Sequence, residues 1–212
     1  MAHDHNVAPQ ELERKAVEHQ SLSVARALSI VFSPPVAAIS CYMLVSYFTP
    51  PTFGQGLLWS LVSLVTQLLP CTLLYSWRLR QGAYSDADVS NRHDRNELYL
   101  LGSVSVLASV ALLLVLHAPQ IFVALALGTL AIGICFGVIN LFWKISMHAA
   151  TMASLATVAT FLSLQLGALL WLCTFAVGWA RVRTHNHTPR QVLAGAVLAT
   201  VLVTGAFTWI VG

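Results

Sequence analysis

Charge is what this chain has least of. Only 9% of its 212 residues are Asp, Glu, Lys or Arg, against 57% hydrophobic. A soluble domain of this size carries about 25% charged residues. The deficit leaves too little polar surface to face water all round, so lipid is the expected solvent. Residues 27–77, 98–143, 145–180 and 191–212 hold no charge at all. An excess of one sign is missing as well: 11 Lys and Arg against 8 Asp and Glu give a net charge of +3. No nucleic-acid partner is expected from that balance. The four cysteines, Cys41, Cys71, Cys135 and Cys173, each lie inside an apolar run. That excludes a disulfide framework and a zinc site built on paired cysteines. They read as small core hydrophobes.

What the chain does have is a series of long apolar stretches. A bilayer-spanning helix needs about 20 apolar residues. Seven stretches qualify, at 22–48, 56–77, 97–116, 119–143, 149–163, 168–184 and 192–211. The expected fold class is therefore all-α, a polytopic transmembrane helix bundle of six to seven spans. Pro34-Pro35 predicts a kink in the first. The charge-free stretch Ala149 to Ala180 is too long for one span, and Ser163, Gln165 and Gly167 mark the expected turn. Residues 1–21 are polar and mixed in charge. They are too long and too acidic for a signal-peptide n-region, and no small-residue cleavage site follows. They read as a cytosolic lead-in, with a short helix over 9–20, to a single helical domain at 22–212.

Lys and Arg concentrate in cytoplasmic loops of membrane proteins. The connections Thr49–Gly54 and His117–Pro119 and the turn near Gln165 carry none, while the other polar segments carry all of them. This predicts an N-terminus inside and a C-terminus outside. Trp77, Trp143 and Trp179 then fall at the inner interface, and Trp59 and Trp209 at the outer one, as an aromatic belt requires.

Three polar loops, 79–96, 144–148 and 181–191, share that cytoplasmic face. The first contains Asp86, Asp88, Arg92, His93, Asp94 and Arg95. The second is Lys144-Ile145-Ser146-Met147-His148. The third runs from Arg181 to Gln191 and includes His185 and His187. Ionisable groups at membrane depth mark functional sites by default. Arg14, Arg78 and Arg80 read as topology anchors. Arg92 and Arg95 sit among three acids, and either anchor the loop or bind a ligand. His148 opens a helix beside free backbone N–H groups, which favour an anion. His187 stands before the last helix at the same depth. Two imidazoles at one face suit a nucleophile and a proton donor. Lys144 and the arginines suit a phosphoryl group. The competing reading of His148 and His187 is polar decoration of the interface, which is the favoured reading for His93, His117 and His185. The acids Asp86, Asp88 and Asp94 offer a different chemistry, Mg²⁺ held against a diphosphate.

Arg181, five residues, His187, three residues, Gln191 and then Val192-Leu193-Ala194-Gly195 resembles the third motif of the type-2 phosphatidic acid phosphatase (PAP2) superfamily. That motif reads Ser-Arg, five residues, His, three residues, Asp, often before a Val-Leu-Ala-Gly-like run. Ser146-Met147-His148 resembles the end of the second motif, Pro-Ser-Gly-His, and one helical hairpin separates the two, as in that family. The resemblance covers roughly residues 80–212. It implies a PAP2-like bundle acting as a lipid-phosphate phosphatase with no metal and no other cofactor. His187 would be the nucleophile that becomes a phosphohistidine, and His148 the general acid on the leaving oxygen. Gln191 would orient His187, and Arg181 and Ser146 would hold phosphate oxygens. The substrate would be a polyprenyl phosphate or diphosphate, or a phosphatidic-acid-like lipid, presented by the bilayer.

The chain departs from the pattern at named positions. Ala180 stands for Ser, Ile145 and Met147 for Pro and Gly, and Gln191 for Asp. A Gln accepts a hydrogen bond from imidazole but brings no charge to imidazolium. In the first motif, Lys, six residues, Arg-Pro, Arg95 matches the Arg, but Asp88 stands for Lys and Asn96 for Pro. Lys144 is the expected source of the missing ammonium. Many bacterial members of that family face outward, whereas the charge distribution here puts the site in the cytosol. Two other classes stay open: a Mg²⁺-dependent membrane prenyl-diphosphate transferase or cyclase, and a non-catalytic lipid-phosphate binder or transporter. The first usually has acids on two loops, and here they occupy one. The second needs a polar path, to which the apolar helices offer only Gln67, Asn140 and Gln165.

Overall fold

A computed structural model describes residues 9–48, 51–84, 86, 88–89 and 91–212. Residues 1–8 of the lead-in, Thr49 and Pro50 of one connection, and Ser85, Ala87 and Ser90 of the first polar loop lie outside the described residues. Among the described residues every regular element is helical. They are α1 (Pro9–Val31), α2 (Pro34–Phe48), α3 (Phe53–Gln67), α4 (Leu69–Arg80), α5 (Asn96–Val115), α6 (Gln120–Asn140), α7 (Met147–Leu162), α8 (Leu164–Arg183) and α9 (Pro189–Ile210). A single 3₁₀ turn, His93–Arg95, leads into α5.

Prolines set the first two breaks. Helices α1 and α2 bend by 48° at Ser33-Pro34-Pro35, as the paired prolines predict. Helices α3 and α4 bend by 40° at Leu68, inside what the sequence reading takes as one span. Pro70, near the start of α4, cannot donate to the Thr66 carbonyl, so α3 ends and a new helix begins.

Four helices, α5, α6, α8 and α9, are each long and apolar enough to cross a membrane, and the two bent pairs bring the total to as many as six. The outer faces carry exposed Leu100, Leu107, Leu172, Phe175, Leu193 and Trp209, a surface suited to lipid. This is an integral membrane protein of helical-bundle architecture. The expected stretch 149–163 forms α7, at 16 residues a shorter apolar helix of about 24 Å against a hydrocarbon core of roughly 30 Å. It pairs with α8 as a hairpin and is the central helix, with α2, α8 and α9 packed on it. Ala149, Ala150, Met152, Ala153, Ala156 and Val158 are wholly buried there. Its small side chains let three neighbours approach. Ser163 alone, extended at φ −160° and ψ 118°, separates α7 from α8. Gly167, expected in the turn, lies within α8, where a Cβ would stand 2.3 Å from Thr160 Oγ1. Glycine is needed there so that the hairpin can close.

The polar loops meet at one end of the bundle. Arg78 of α4 pairs with Glu97 of α5 at 2.6 Å. Arg92 donates to the Asn140 and Leu141 carbonyls that end α6. The Ser146 amide before α7 donates to the Gln191 carbonyl of α9. Arg183 of α8 reaches Ser21 of α1 at 3.0 Å.

Candidate active site

The end of α8 aims the first histidine. His185, at φ +56°, closes the helix in the left-handed region. Its amide donates to Val182 O and the Asn186 amide to Arg181 O, the paired bonds of a Schellman cap. The exposed His185 thus terminates a helix. The chain turns back, and His187, 6% exposed, lies against the same carbonyl of Arg181.

Gln191 then settles the His187 tautomer. It sits at the third position of α9 and completes a capping box with Thr188. The Thr188 amide donates to Gln191 Oε1 at 3.1 Å, so the oxygen faces this corner. The same oxygen lies 3.3 Å from His187 Nδ1. An oxygen acceptor requires that Nδ1 carry the hydrogen, which leaves Nε2 with its lone pair. Burial first, then the positive charges of Lys144, Arg95 and Arg181, push the His187 imidazole down to about 3, against the opposing pull of the Gln191 bond. His187 is therefore a neutral base at neutral pH.

His148 is placed by the start of α7. Ser146 caps that helix, its Oγ accepting from the Ala149 amide at 3.4 Å. Ser146 is wholly buried and does not line the cavity described below. The hydroxyl expected to touch phosphate holds the His148 helix end instead. Gly195 explains the close approach of α9 here: a Cβ would lie 2.6 Å from the Ser146 carbonyl oxygen. The backbone of Ser29 on α1 lies beside the His148 ring.

Two buried guanidiniums flank the histidines. Arg181 is 2% exposed; one terminal nitrogen donates to Asp88 Oδ2 at 3.2 Å, and its Nε has no partner. Arg95 is fastened by three backbone carbonyls, Val89 at 2.7 Å, Asp88 at 3.3 Å and Ile145 at 3.5 Å. Those bonds tie the acidic loop to the segment before α7. Lys144 is part-buried, and burial, then the charges of Arg95 and Arg181, hold its ammonium below the ordinary lysine value.

Not every expected residue joins this group. Arg92 is occupied in capping α6, and its own carbonyl accepts from Asn140 Nδ2 at 2.7 Å. The three acids do not converge. Asp94 Oδ1 accepts from Asn91, Asp86 Oδ1 accepts from the Asp88 amide, and Asp88 Oδ2 is held by Arg181 and by Asn186 Nδ2 at 3.0 Å. Among the described residues no three His, Cys, Asp or Glu side chains form a group able to hold a metal ion. Asn186 and Thr188 were not singled out by sequence reasoning, and Gly195 entered it only as the end of the Val-Leu-Ala-Gly run. Thr188 before a Pro with Gln191 three residues on was a readable capping box; Asn186 had no local signal.

Asp88, Arg95, His148, Arg181 and His187 line one end of a cavity of about 720 Å³. Beyond them its walls are largely apolar, with Leu64, Val106, Ile132, Leu155 and Val158 among them. It follows one face of α7, where His148, Thr151, Leu155 and Val158 recur at helical spacing. That stripe descends about 15 Å into the bundle. Charged and titratable side chains thus gather in the wall of a largely apolar cavity.

No curated protein and no solved structure matches the chain. The first polar loop, with Asp88 and Asn96 in place of the expected Lys and Pro, lies outside the residues that the family model below matches. The PAP2 superfamily model matches residues 139–212, the end of α6 through α9, which carry Lys144, His148, Arg181, His187 and Gln191, consistent with a member of that superfamily.

Proposed function

We propose that this protein is an integral membrane phosphatase that hydrolyses a lipid or polyprenyl phosphate or diphosphate through a phosphohistidine, at the cytoplasmic face of the membrane. The observation that carries the reading is the His187 ring. Its Nδ1 hydrogen points to Gln191, and it lies with His148 and two buried guanidiniums at the polar end of an apolar cavity. The PAP2 match over residues 139–212 supports a phosphatase-type chemistry. The cavity supports a substrate with a long apolar tail.

The reaction is an in-line displacement in two halves. The His187 Nε2 lone pair attacks phosphorus, and the bond from phosphorus to the lipid oxygen breaks. His148, protonated once the negative charge of the bound phosphate lies beside it, passes its proton to that oxygen, so the product leaves as an alcohol, or as a monophosphate when the substrate is a diphosphate. Water then attacks the phosphohistidine, giving a proton back to His148, and the bond to Nε2 breaks to release inorganic phosphate. Arg181 and Arg95, with Lys144 nearby, offset the charge that accumulates on the phosphoryl oxygens. Gln191 keeps the attacking tautomer but adds no charge to the imidazolium. No step in this scheme needs a metal.

Phosphate release by the purified full chain in detergent tests the proposal. A panel of prenyl and glycerolipid phosphates is assayed with and without EDTA, and beside His187→Ala. Release that ignores EDTA and vanishes in the variant is the expected result. Release that survives in His187→Ala, or that requires Mg²⁺, would sink the histidine mechanism and favour a prenyl-diphosphate enzyme. Binding without release would favour the non-catalytic binder.

A further inference from the structure

Arg181 is the most deeply buried charge in the site, and a buried guanidinium without a counter-charge is strongly destabilising. Its counter-charge is Asp88. Its carboxylate accepts from Arg181 at 3.2 Å and from Asn186 at 3.0 Å, at the cavity end that also holds His148 and His187. It also acts through its charge on Arg95, Lys144 and His148. A carboxylate engages a guanidinium with the same oxygens and geometry that a phosphate uses. The two partners differ in freedom. The Arg181 side chain is 2% exposed and fixed, whereas the Asp88 side chain is 40% exposed. Asp88 can swing into water at little cost; Arg181 cannot. Arg181 also keeps Nε unpartnered and buried in the cavity wall, a donor in place for a further oxygen.

We propose that Asp88 is a built-in competitor for the substrate phosphate: its carboxylate engages Arg181 where a phosphate oxygen would bind, and an arriving phosphate must displace it. The inference rests on the reading of this site as a phosphate site. The built-in anion has two consequences. It offsets the buried charge of Arg181. It also sets one threshold for every anion, so that only a ligand with further binding energy occupies the site at low concentration. Phosphate tethered to an apolar tail, whose burial adds to binding, competes better than free phosphate.

The test separates this role from a purely structural one, because the two give opposite signs. Full-length protein carrying His187→Ala, which cannot turn over, is titrated with inorganic phosphate and with geranyl phosphate, and its melting temperature is followed. Asp88→Asn should lower the melting temperature without ligand, bind inorganic phosphate at least tenfold tighter, and regain stability as phosphate is added. Asn186→Ala removes one bond to the Asp88 carboxylate and leaves Arg181 intact; it should tighten phosphate several-fold, which covers the case in which Asp88→Asn fails to fold. Binding that weakens or stays unchanged in both variants, while Arg181→Gln abolishes it, overturns the proposal and leaves the phosphate site standing. Absence of binding of either ligand to every form overturns the phosphate site and the proposal with it. Asp88→Asn should tighten geranyl phosphate by a similar factor, and a gain confined to inorganic phosphate overturns the proposal.

Discussion

Gln191 offers the sharpest test of the site, because one oxygen serves both a helix cap and the His187 ring. Replacing it by Ala removes the capping partner, about 1 kcal/mol. It also leaves a buried Nδ1–H unpaired, which costs about 1–3 kcal/mol. If the second part falls on the transition state, kcat drops roughly 5–150-fold, at about 1.4 kcal/mol per tenfold. Gln191→Glu keeps both acceptor contacts and adds a charge 3.3 Å from Nδ1. At an effective dielectric of about 20 that charge is worth roughly 5 kcal/mol toward imidazolium before desolvation. Desolvation of the carboxylate takes back several kcal/mol, leaving about 1–3 kcal/mol, or on the order of 5–150-fold in kcat. His187 should then titrate well above 3 and toward its ordinary value near 6.5. Steady-state rates and ¹⁵N NMR of the imidazole read the two effects. If Gln191→Glu behaves like Gln191→Ala, or if neither moves the His187 titration, residue 191 does not orient the ring and the tautomer argument fails.

Other consequences concern stability more than rate. An Ala at position 195 would press a Cβ against the Ser146 carbonyl at 2.6 Å, so Gly195→Ala should cost about 1–3 kcal/mol in thermal unfolding and lower kcat by shifting His148; Gly205→Ala, with open space around it, should be harmless. Arg92→Ala removes the cap on the α6 carbonyls and should lower the melting temperature while KM stays the same, since Arg92 does not line the cavity. The depressed His187 sets a pH window: the unfolded chain takes up its proton near 6.5 and the folded chain only near 3, so stability from this group is complete above about 6.5 and declines as pH falls toward 3. His187→Asn should flatten that part of the stability profile in a pH series of thermal melts.

The residues legible in the sequence were those whose signal is local. His187 and Gln191 are one helical turn apart, the proline pair announced the 48° bend, and each apolar run long enough to span emerged as a helix or a bent pair. Pro70 carried the same kind of signal for the 40° bend, but it sat inside an apolar run and was read through. The remainder depends on contacts across the chain. Asp88 meets Arg181 from 93 positions away, and Arg92 meets Asn140 from 48 away. No local pattern distinguishes an arginine that caps a distant helix from one that holds an anion. Ser146 shows the same ambiguity at short range, since an N-cap serine and a phosphate-binding serine at a helix start look alike. The short α7 escaped as well: sequence shows that it is apolar, but not that three neighbours enclose it.

The cavity carries the remaining argument, because it decides what the tail of a substrate meets. Along α7 the lining side chains stand at increasing depth below His148: Thr151 by about 5 Å, Leu155 by about 10 Å and Val158 by about 15 Å. A tail that follows this wall passes them in that order. Phe at position 151 should therefore penalise every substrate longer than a few carbons, whereas Phe at 158 should penalise only those whose tails reach the bottom. Thr151 is half-buried and leaves a ring room, whereas Val158 is wholly buried and its neighbours must shift, so melting temperatures are followed beside the rates. Prenyl phosphates of increasing isoprenoid number, assayed as kcat/KM, read the result. In the wild type, kcat/KM should rise with length as apolar surface is buried, at about 25 cal/mol per Å², and then level off once the cavity is full. Val158→Phe should move that plateau to a shorter tail, and Thr151→Phe shorter still. If every length is slowed equally, or if neither variant moves the plateau, the tail lies in the bilayer outside the bundle and the cavity does not measure the substrate.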